Sequence, residues 1–276
     1  MTMNVTLLGT GSPIPDPNRA GPSTLVTANE TQLLVDAGRG VLMRLAGAFV
    51  APPMLHAVLV THMHSDHLSD LNDVVTTRWV MSQEENPLRI YGPVGIKKIV
   101  DGMMEMLSLD ISYRIAHHDD LQNGPALEVV EVKPGDEFQI NDVAIRVGRT
   151  NHAPVEPSVA YRIEQNGVSV VMGGDGIPCT ELDELCAGAN AYVQTVIRDD
   201  IVKMVPLQRF VDILDYHSSV SDAAKTAQKA NVKTLILTHY VPAIAPGQED
   251  EWRAIASEHF SGEIVLGNDL TSVALS

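Results

Sequence analysis

Thr61-His62-Met63-His64-Ser65-Asp66-His67 decides how this chain is read. Three imidazoles and one carboxylate fall within six residues, directly behind an apolar run over 56–60 that reads as a buried strand. Imidazole and carboxylate are the donors that suit zinc, manganese or iron. The alternation of His62 and His64 puts both rings on one side of an extended segment. Asp66 and His67 fall where the chain is expected to turn into a helix over 66–81, so they can address a second spot nearby. Four such groups on so short a loop suit two adjacent ions better than one. The bland alternative is a surface histidine patch, and the apolar strand leading into the cluster argues against it.

A metal pair needs donors from elsewhere in the chain. His152 follows a strand over 143–147 in Thr150-Asn151-His152. Asp175 sits in Gly173-Gly174-Asp175-Gly176, behind a strand over 168–172. His239 closes the buried-type strand over 232–238. Each is a ligand-type residue at the mouth of a strand, where backbone ends can aim side chains at one place. Taken singly, each is more often structural; taken with the cluster, the set is coherent.

The rest of the chain bounds the answer. Its 276 residues allow one large domain or two small ones, and without a linker, repeat or low-complexity stretch one domain over 1–276 is the simplest organisation. Hydrophobic residues at 45% and charged residues at 20% exclude a disordered chain. Two cysteines, Cys179 and Cys186, exclude a disulfide framework and a cysteine-rich zinc ribbon. No apolar run reaches the roughly 18 residues of a membrane span, and the first residues carry no export pattern, so a cytoplasmic location is expected. The formal charge of −16 repels nucleic acid over most of the surface. Gly9-Thr10-Gly11-Ser12-Pro13 follows a strand over 3–8 but lacks the third glycine of a dinucleotide fingerprint.

Hairpins are expected around Asn29-Glu30 and around Gln165-Asn166-Gly167. Helices are expected over 38–49, 66–81, 96–107, 181–187, 221–230 (with Ser221 as N-cap) and 252–259. Strands lead and helices intersperse in a similar order in each half. The fold class this implies is α/β (α+β): two mixed β-sheets packed face to face with helices outside, a four-layer αββα sandwich.

His-x-His-x-Asp-His, followed in order by His152, Asp175 and His239, resembles the metallo-β-lactamase-fold hydrolases over nearly the whole chain. Leu8-Gly9-Thr10-Gly11-Ser12-Pro13, the segment Leu88 to Ile96, His217-Ser218-Ser219 with its alanine-rich helix, and Val232 to His239 are similar to the ribonuclease Z and arylsulfatase-like branch. The resemblance implies that His62, His64 and His152 bind a first metal and that Asp66, His67 and His239 bind a second. Asp175 then bridges the two. It implies two divalent ions, zinc before manganese or iron, and a hydroxide between them as nucleophile, since bound metal lowers the pKa of water to about 7. Asp66 orients that hydroxide and accepts its proton; His217, not a ligand, stabilises the oxyanion or protonates the leaving group.

Two departures steer the expected substrate. Only 22 residues separate His152 from Asp175, leaving no room there for an RNA-gripping arm, and Gln194-Thr195-Val196-Ile197 lacks the glutamate of the branch's His-Glu-Ala-Thr motif. With the negative charge, they point to a hydrolase of a small molecule (an ester, lactone, phosphodiester or aryl sulfate), with no nucleic-acid or membrane partner and with homodimers compatible. The alternatives are a ribonuclease Z-like endonuclease for precursor tRNA 3′ ends, with Arg149, Arg162, Arg198 and Arg209 as the candidate basic patch, and a non-enzymatic metal-dependent sensing module. The expected pocket walls are residues 79–85, 103–118 and 240–248. His117-His118-Asp119-Asp120 is read as a solvated loop.

Overall fold

Alternation along short strands builds the layers. In β1 (Met3–Gly9), Val5 and Leu7 point into one core while Leu8 points into another. The same split recurs at Leu33 and Leu34 and at Val58 and Leu59 in two further strands, as the two-residue period of a strand requires. The computed structural model describes residues 3–276. One sheet contains β1, β2 (Ser23–Ala28), β3 (Thr31–Val35), β4 (Ala57–Leu59), β5 (Leu88–Pro93) and β6 (Leu127–Val132) in that order. The other contains β7 (Glu137–Ile140), β8 (Val143–Arg149), β9 (Val159–Gln165), β10 (Val168–Met172), β11 (Ala191–Ile197), β12 (Thr234–Val241) and β13 (Glu263–Leu266). The chain then crosses back, and β14 (Ser272–Leu275) pairs antiparallel with β1, Val5 opposite Val273.

The inner faces of the two sheets meet in one core, where Val26, Leu59, Tyr161 and Ile236 are buried together. Outside the first sheet pack α1 (Val41–Gly47), α2 (Leu71–Met81) and α3 (Ile96–Met106); α4 (Ser108–His117) follows and buries no residue. In the second half come α5 (Thr180–Cys186), α6 (Asp199–Val202), α7 (Gln208–Asp212), α8 (Val220–Lys229) and α9 (Glu249–Ser257). Of these, α5, α8 and α9 cover the outer face of the second sheet. The arrangement is the four-layer αββα sandwich. Each fully buried Val or Leu contributes about 1.5–3 kcal/mol relative to exposure, and such residues fill all three interfaces between layers.

Several boundaries differ from the sequence expectation, each for a local reason. The helix expected over 66–81 opens as a single 3-10 turn, Ser65–His67, and α2 begins only at Leu71, because Asp66 and His67 are turned inward to their partners. The helix expected over 38–49 starts at Val41, after Gly40 at φ 87°. The α8 cap is Ser219, not Ser221: its hydroxyl accepts from the Asp222 N–H (3.1 Å) while the Asp222 carboxylate accepts from the Ser219 N–H (3.1 Å). Helix α9 starts three residues early, its first turn holding Glu249, Asp250 and Glu251, which suit the positive end of the helix dipole. Helices α4, α6 and α7 were not expected; two are very short, and α4 lacks the buried stripe that periodicity detects.

Two sets of bonds fix the end of the sandwich where the histidines gather. The Tyr161 hydroxyl donates to the Val60 carbonyl (2.7 Å) and the Val159 N–H to the Thr61 carbonyl (2.9 Å), tying the loop after β4 to the second sheet. Asp269, from the β13–β14 connection, accepts from the Thr10 N–H and hydroxyl (2.9 and 2.8 Å), the Ala20 N–H (2.7 Å) and Arg44 Nε (2.8 Å). This carboxylate holds both ends of the β1–β2 loop and the first helix at once.

Candidate metal centre and active site

All seven donors expected from sequence come together at the strand ends. In one group His62 Nε2 and His152 Nε2 stand 3.1 and 3.2 Å from His64 Nδ1, with Asp175 Oδ2 3.8 Å from His62 Nε2. In the other, Asp66 Oδ2 lies 3.6 Å from His67 Nε2 and 3.3 Å from His239 Nε2. Asp175 Oδ2 is 3.6 Å from each of those two imidazole nitrogens, so this carboxylate is shared between the groups. Donors held tetrahedrally about 2.1 Å from an ion sit roughly 3.4 Å apart, the spacing seen in both groups. The Gly173–Gly176 turn brings Asp175 in. Gly174 adopts φ 64°, and a Cβ there would stand 3.0 Å from Thr61 Cβ, so glycine permits the turn to lie against the histidine loop.

Hydrogen bonds on the far side of the rings set which nitrogen is bare. His62 Nδ1–H donates to Thr61 Oγ1 (3.0 Å), whose own hydroxyl donates to Asp36 Oδ2 (2.8 Å). The same oxygen accepts His67 Nδ1–H (2.8 Å), and Asp36 Oδ1 accepts the Thr61 N–H (2.8 Å). His152 Nδ1–H donates to the Tyr216 carbonyl (2.8 Å). Each bond leaves the inward Nε2 as a lone pair, the orientation a metal ligand needs.

The electrostatics divide the groups. Burial pushes His62 well below the ordinary imidazole value, lowers His64, and brings His152 down to about 4. Burial would also lower His67 and His239, but Asp175 with Asp36 or Asp66 outweighs it and holds both above the ordinary value, His67 far above. Burial works against ionising Asp175 and Asp66, yet the facing imidazoles of His239 and His67 hold Asp175 well below the carboxylate range, and His239 does the same more modestly for Asp66. The carboxylates thus demand positive charge at this spot. Among the described residues, His67 Nε2 and Asp175 Oδ1 are buried with no hydrogen-bond partner. Buried orphan donor atoms beside charge-hungry carboxylates fit a divalent cation in each group.

His217 lies next to the donors without joining either group. Its Nε2 is 3.2 Å from Asp175 Oδ2, and its Nδ1–H donates to the Ile213 carbonyl (3.0 Å). A backbone carbonyl thus orients this ring, and no carboxylate is needed for it. Thr195, at the glutamate's position, donates its hydroxyl to the Gly174 carbonyl (3.0 Å), as Gln194 Nε2 also does (3.0 Å), and the two brace the turn that carries Asp175.

Sequence reading missed Asp36 and Thr61. The available signal was an aspartate closing an apolar strand in Val35-Asp36-Ala37-Gly38, read only as the end of a hairpin; its φ of 58° marks it as no ordinary strand residue. The expected pocket walls also need correction. Trp79 and residues 82–85 line a separate groove with residues 120–127, and residues 103–118 do not line the cleft over the donors. From 240–248 only Val241 lines the cleft over the donors; Ser12 to Ile14, Arg209, Phe210, Ile213 and Tyr216 lie with it around the rim. His117 and His118 are exposed and contact each other, outside both donor groups. Of the four candidate arginines, Arg149 pairs with Glu156, Arg162 with Glu164, and Arg198 with Asp200; Arg209 alone lines the cleft.

Two facing seven-stranded sheets that carry a shared-carboxylate His/Asp centre at their strand ends define a metal-dependent hydrolase of the metallo-β-lactamase fold. Residues 31–240 match the β-lactamase superfamily domain, and the chain belongs to that family, in its ribonuclease Z branch. It is 54% identical over 273 residues to a protein named Ribonuclease Z from Mycolicibacterium gilvum, covering 98% of this chain and 96% of that one. Among solved structures it resembles the metallo-β-lactamase fold protein YhfI from Bacillus subtilis (TM-score 0.76, 23% identity, 99% of each chain covered). It also resembles human tRNase Z, short form (TM-score 0.73, 22% identity, 99% of each chain covered).

The Ribonuclease Z relatives overturn two expectations: the small-molecule ester substrate and the exclusion of nucleic acid. The premises fail for physical reasons. The relative is matched over 96% of its length, so a chain of this size with no long arm carries that name. The Ile213 carbonyl orients His217 without a glutamate. Net charge sums the whole surface and says nothing of one cleft. Among the described residues no helix is long and apolar enough to cross a membrane.

Proposed function

We propose that the chain is a ribonuclease Z-type endonuclease that cleaves a phosphodiester bond at the 3′ end of precursor transfer RNA. The observation that carries this reading is the 54% identity to a Ribonuclease Z over nearly the full length of both chains. In this reading His62, His64 and His152 hold one ion, Asp66, His67 and His239 the other, and Asp175 both; zinc is the ion the imidazole-rich set favours. The pair supplies Lewis acidity and a water of lowered pKa when bound. Asp66, held ionised by His239, accepts the proton of the attacking water. His217, fixed by the Ile213 carbonyl, faces the cleft and donates a proton to the departing ribose oxygen. The chain acts as one domain, in the cytoplasm, where precursor transfer RNA is met.

The test is incubation of zinc-loaded protein with a precursor transfer RNA bearing a 3′ trailer. Release of the trailer in one cut at the 3′ boundary is the expected result, with kcat/KM falling steeply as salt rises. An uncut precursor under conditions where the protein hydrolyses a p-nitrophenyl ester overturns it.

A further inference from the structure

A cleft of about 310 Å³ opens over the donors, and His64, Asp66, Asp175, His217 and His239 form its floor. Its rim is of a different character. Ile14, Phe210, Ile213 and Val241 present apolar surface, and Arg209 stands beside them. Phe210 is half-buried and rests on a small apolar cluster of Ile197, Val202 and Val241, which fixes the ring at the rim. Arg209 is exposed and, among the described residues, makes no hydrogen bond or ion pair, whereas the other three candidate arginines are each paired with a carboxylate. An unpaired cation one residue from a supported aromatic ring is the combination that holds single-stranded nucleic acid: the ring stacks a base and the cation meets a phosphate. The volume lies at the small end of the range for ligand pockets, roughly 300–1,000 Å³, and so suits one base rather than a duplex.

Resting on the proposed function, we infer that the Arg209–Phe210 step of α7 is a nucleotide subsite. Phe210 stacks the base of an unpaired nucleotide flanking the scissile phosphate, and Arg209 contacts that nucleotide's own phosphate. The subsite places the RNA strand so that the bond to be cut lies over the donors. Ile14 and Val241 close the pocket around the base edge.

The experiment uses the zinc-loaded full chain and precursor transfer RNA, intact or carrying an abasic ribose at either position flanking the cut. Phe210→Leu keeps apolar volume on the cluster but has no aromatic face; it raises KM for the intact precursor about tenfold, within the range that loss of base–aromatic stacking brings. On the abasic precursor at one of the two positions, wild type is weakened by a similar factor and Phe210→Leu adds less than about twofold. Phe210→Tyr restores wild-type KM. Arg209→Gln lowers the slope of log kcat/KM against log salt by about 0.7, the share of one single-strand phosphate contact. Full additivity of Phe210→Leu with both abasic substitutions, failure of Phe210→Tyr to rescue, or an unchanged salt slope in Arg209→Gln overturns the inference. A precursor that wild type itself leaves uncut overturns the proposed function instead, a result separable from any behaviour of the variants.

Discussion

Asp36→Asn is the sharpest perturbation of the centre, because asparagine has the same shape and tolerates the left-handed φ of 58° at this position. The native carboxylate accepts three hydrogen bonds, from the Thr61 N–H, the Thr61 hydroxyl and His67 Nδ1–H, all at 2.8 Å. In the variant the amide oxygen keeps the Thr61 N–H. The amide NH2 then faces two groups that were donating. It can donate to Thr61 Oγ1 only if that hydroxyl turns away, and to His67 Nδ1 only if the ring proton moves to Nε2. That nitrogen faces Asp66 and Asp175, so the proton then blocks the second metal's place. Loss of such an orienting partner costs about 10- to 100-fold in metal affinity, or about 1.4–2.8 kcal/mol. Competition with a zinc chelator reads the two ions directly: the weaker ion is expected to leave Asp36→Asn at 10- to 100-fold lower chelator strength, while the ion held by His62, His64 and His152 is retained longer. Two ions retained with affinities within twofold of wild type would refute the tautomer argument.

Other outcomes follow from the same geometry. His217→Ala is expected to keep both metals and to lose about 10²- to 10⁴-fold in kcat on precursor RNA, the usual worth of a positioned acid; metal analysis beside single-turnover kinetics checks it, and undiminished kcat removes His217 from the reaction. Tyr161→Phe leaves the Val60 carbonyl without its hydroxyl donor inside the core, at a cost of about 1–3 kcal/mol, seen as a lower urea midpoint with the slope unchanged. Burial raises the thiol pKa of both cysteines, so at a given pH each carries less thiolate than a free cysteine. Alkylation of Cys179 should therefore still be accelerating above pH 9, with Cys186 untouched until the protein unfolds; rapid labelling of both at pH 8 contradicts this.

The donors were legible because the chemistry lies in the side chains: His62, His64, Asp66, His67, His152, Asp175 and His239 are ligand types at the ends of apolar runs. The layers were legible because pairs such as Leu7 and Leu8 serve opposite faces. Support by backbone was not legible. The carbonyls of Ile213 and Tyr216 orient two imidazoles, and no residue type announces a carbonyl. Asp36 is hidden by its surroundings, since an aspartate at the end of an apolar strand reads as the close of a hairpin. The substrate is not legible, because neither an absent glutamate nor the net charge of the whole chain describes the one cleft over the donors. Helix α7, five residues long, carries too short a pattern for periodicity to register, and its part in the rim emerged only from the packing of Phe210.

The grip of Asp269 on Thr10, Ala20 and Arg44 has a temporal meaning during synthesis. Ribosomes deliver the histidine loop early, but the strap that braces its neighbour is translated some 250 residues after Ala20, and the strand closing the edge of β1 comes later still. A nascent chain therefore carries most of its metal donors long before the rim is secured. The loop that supplies Ser12 to Ile14 to the cleft is therefore pinned only once Asp269 has been made.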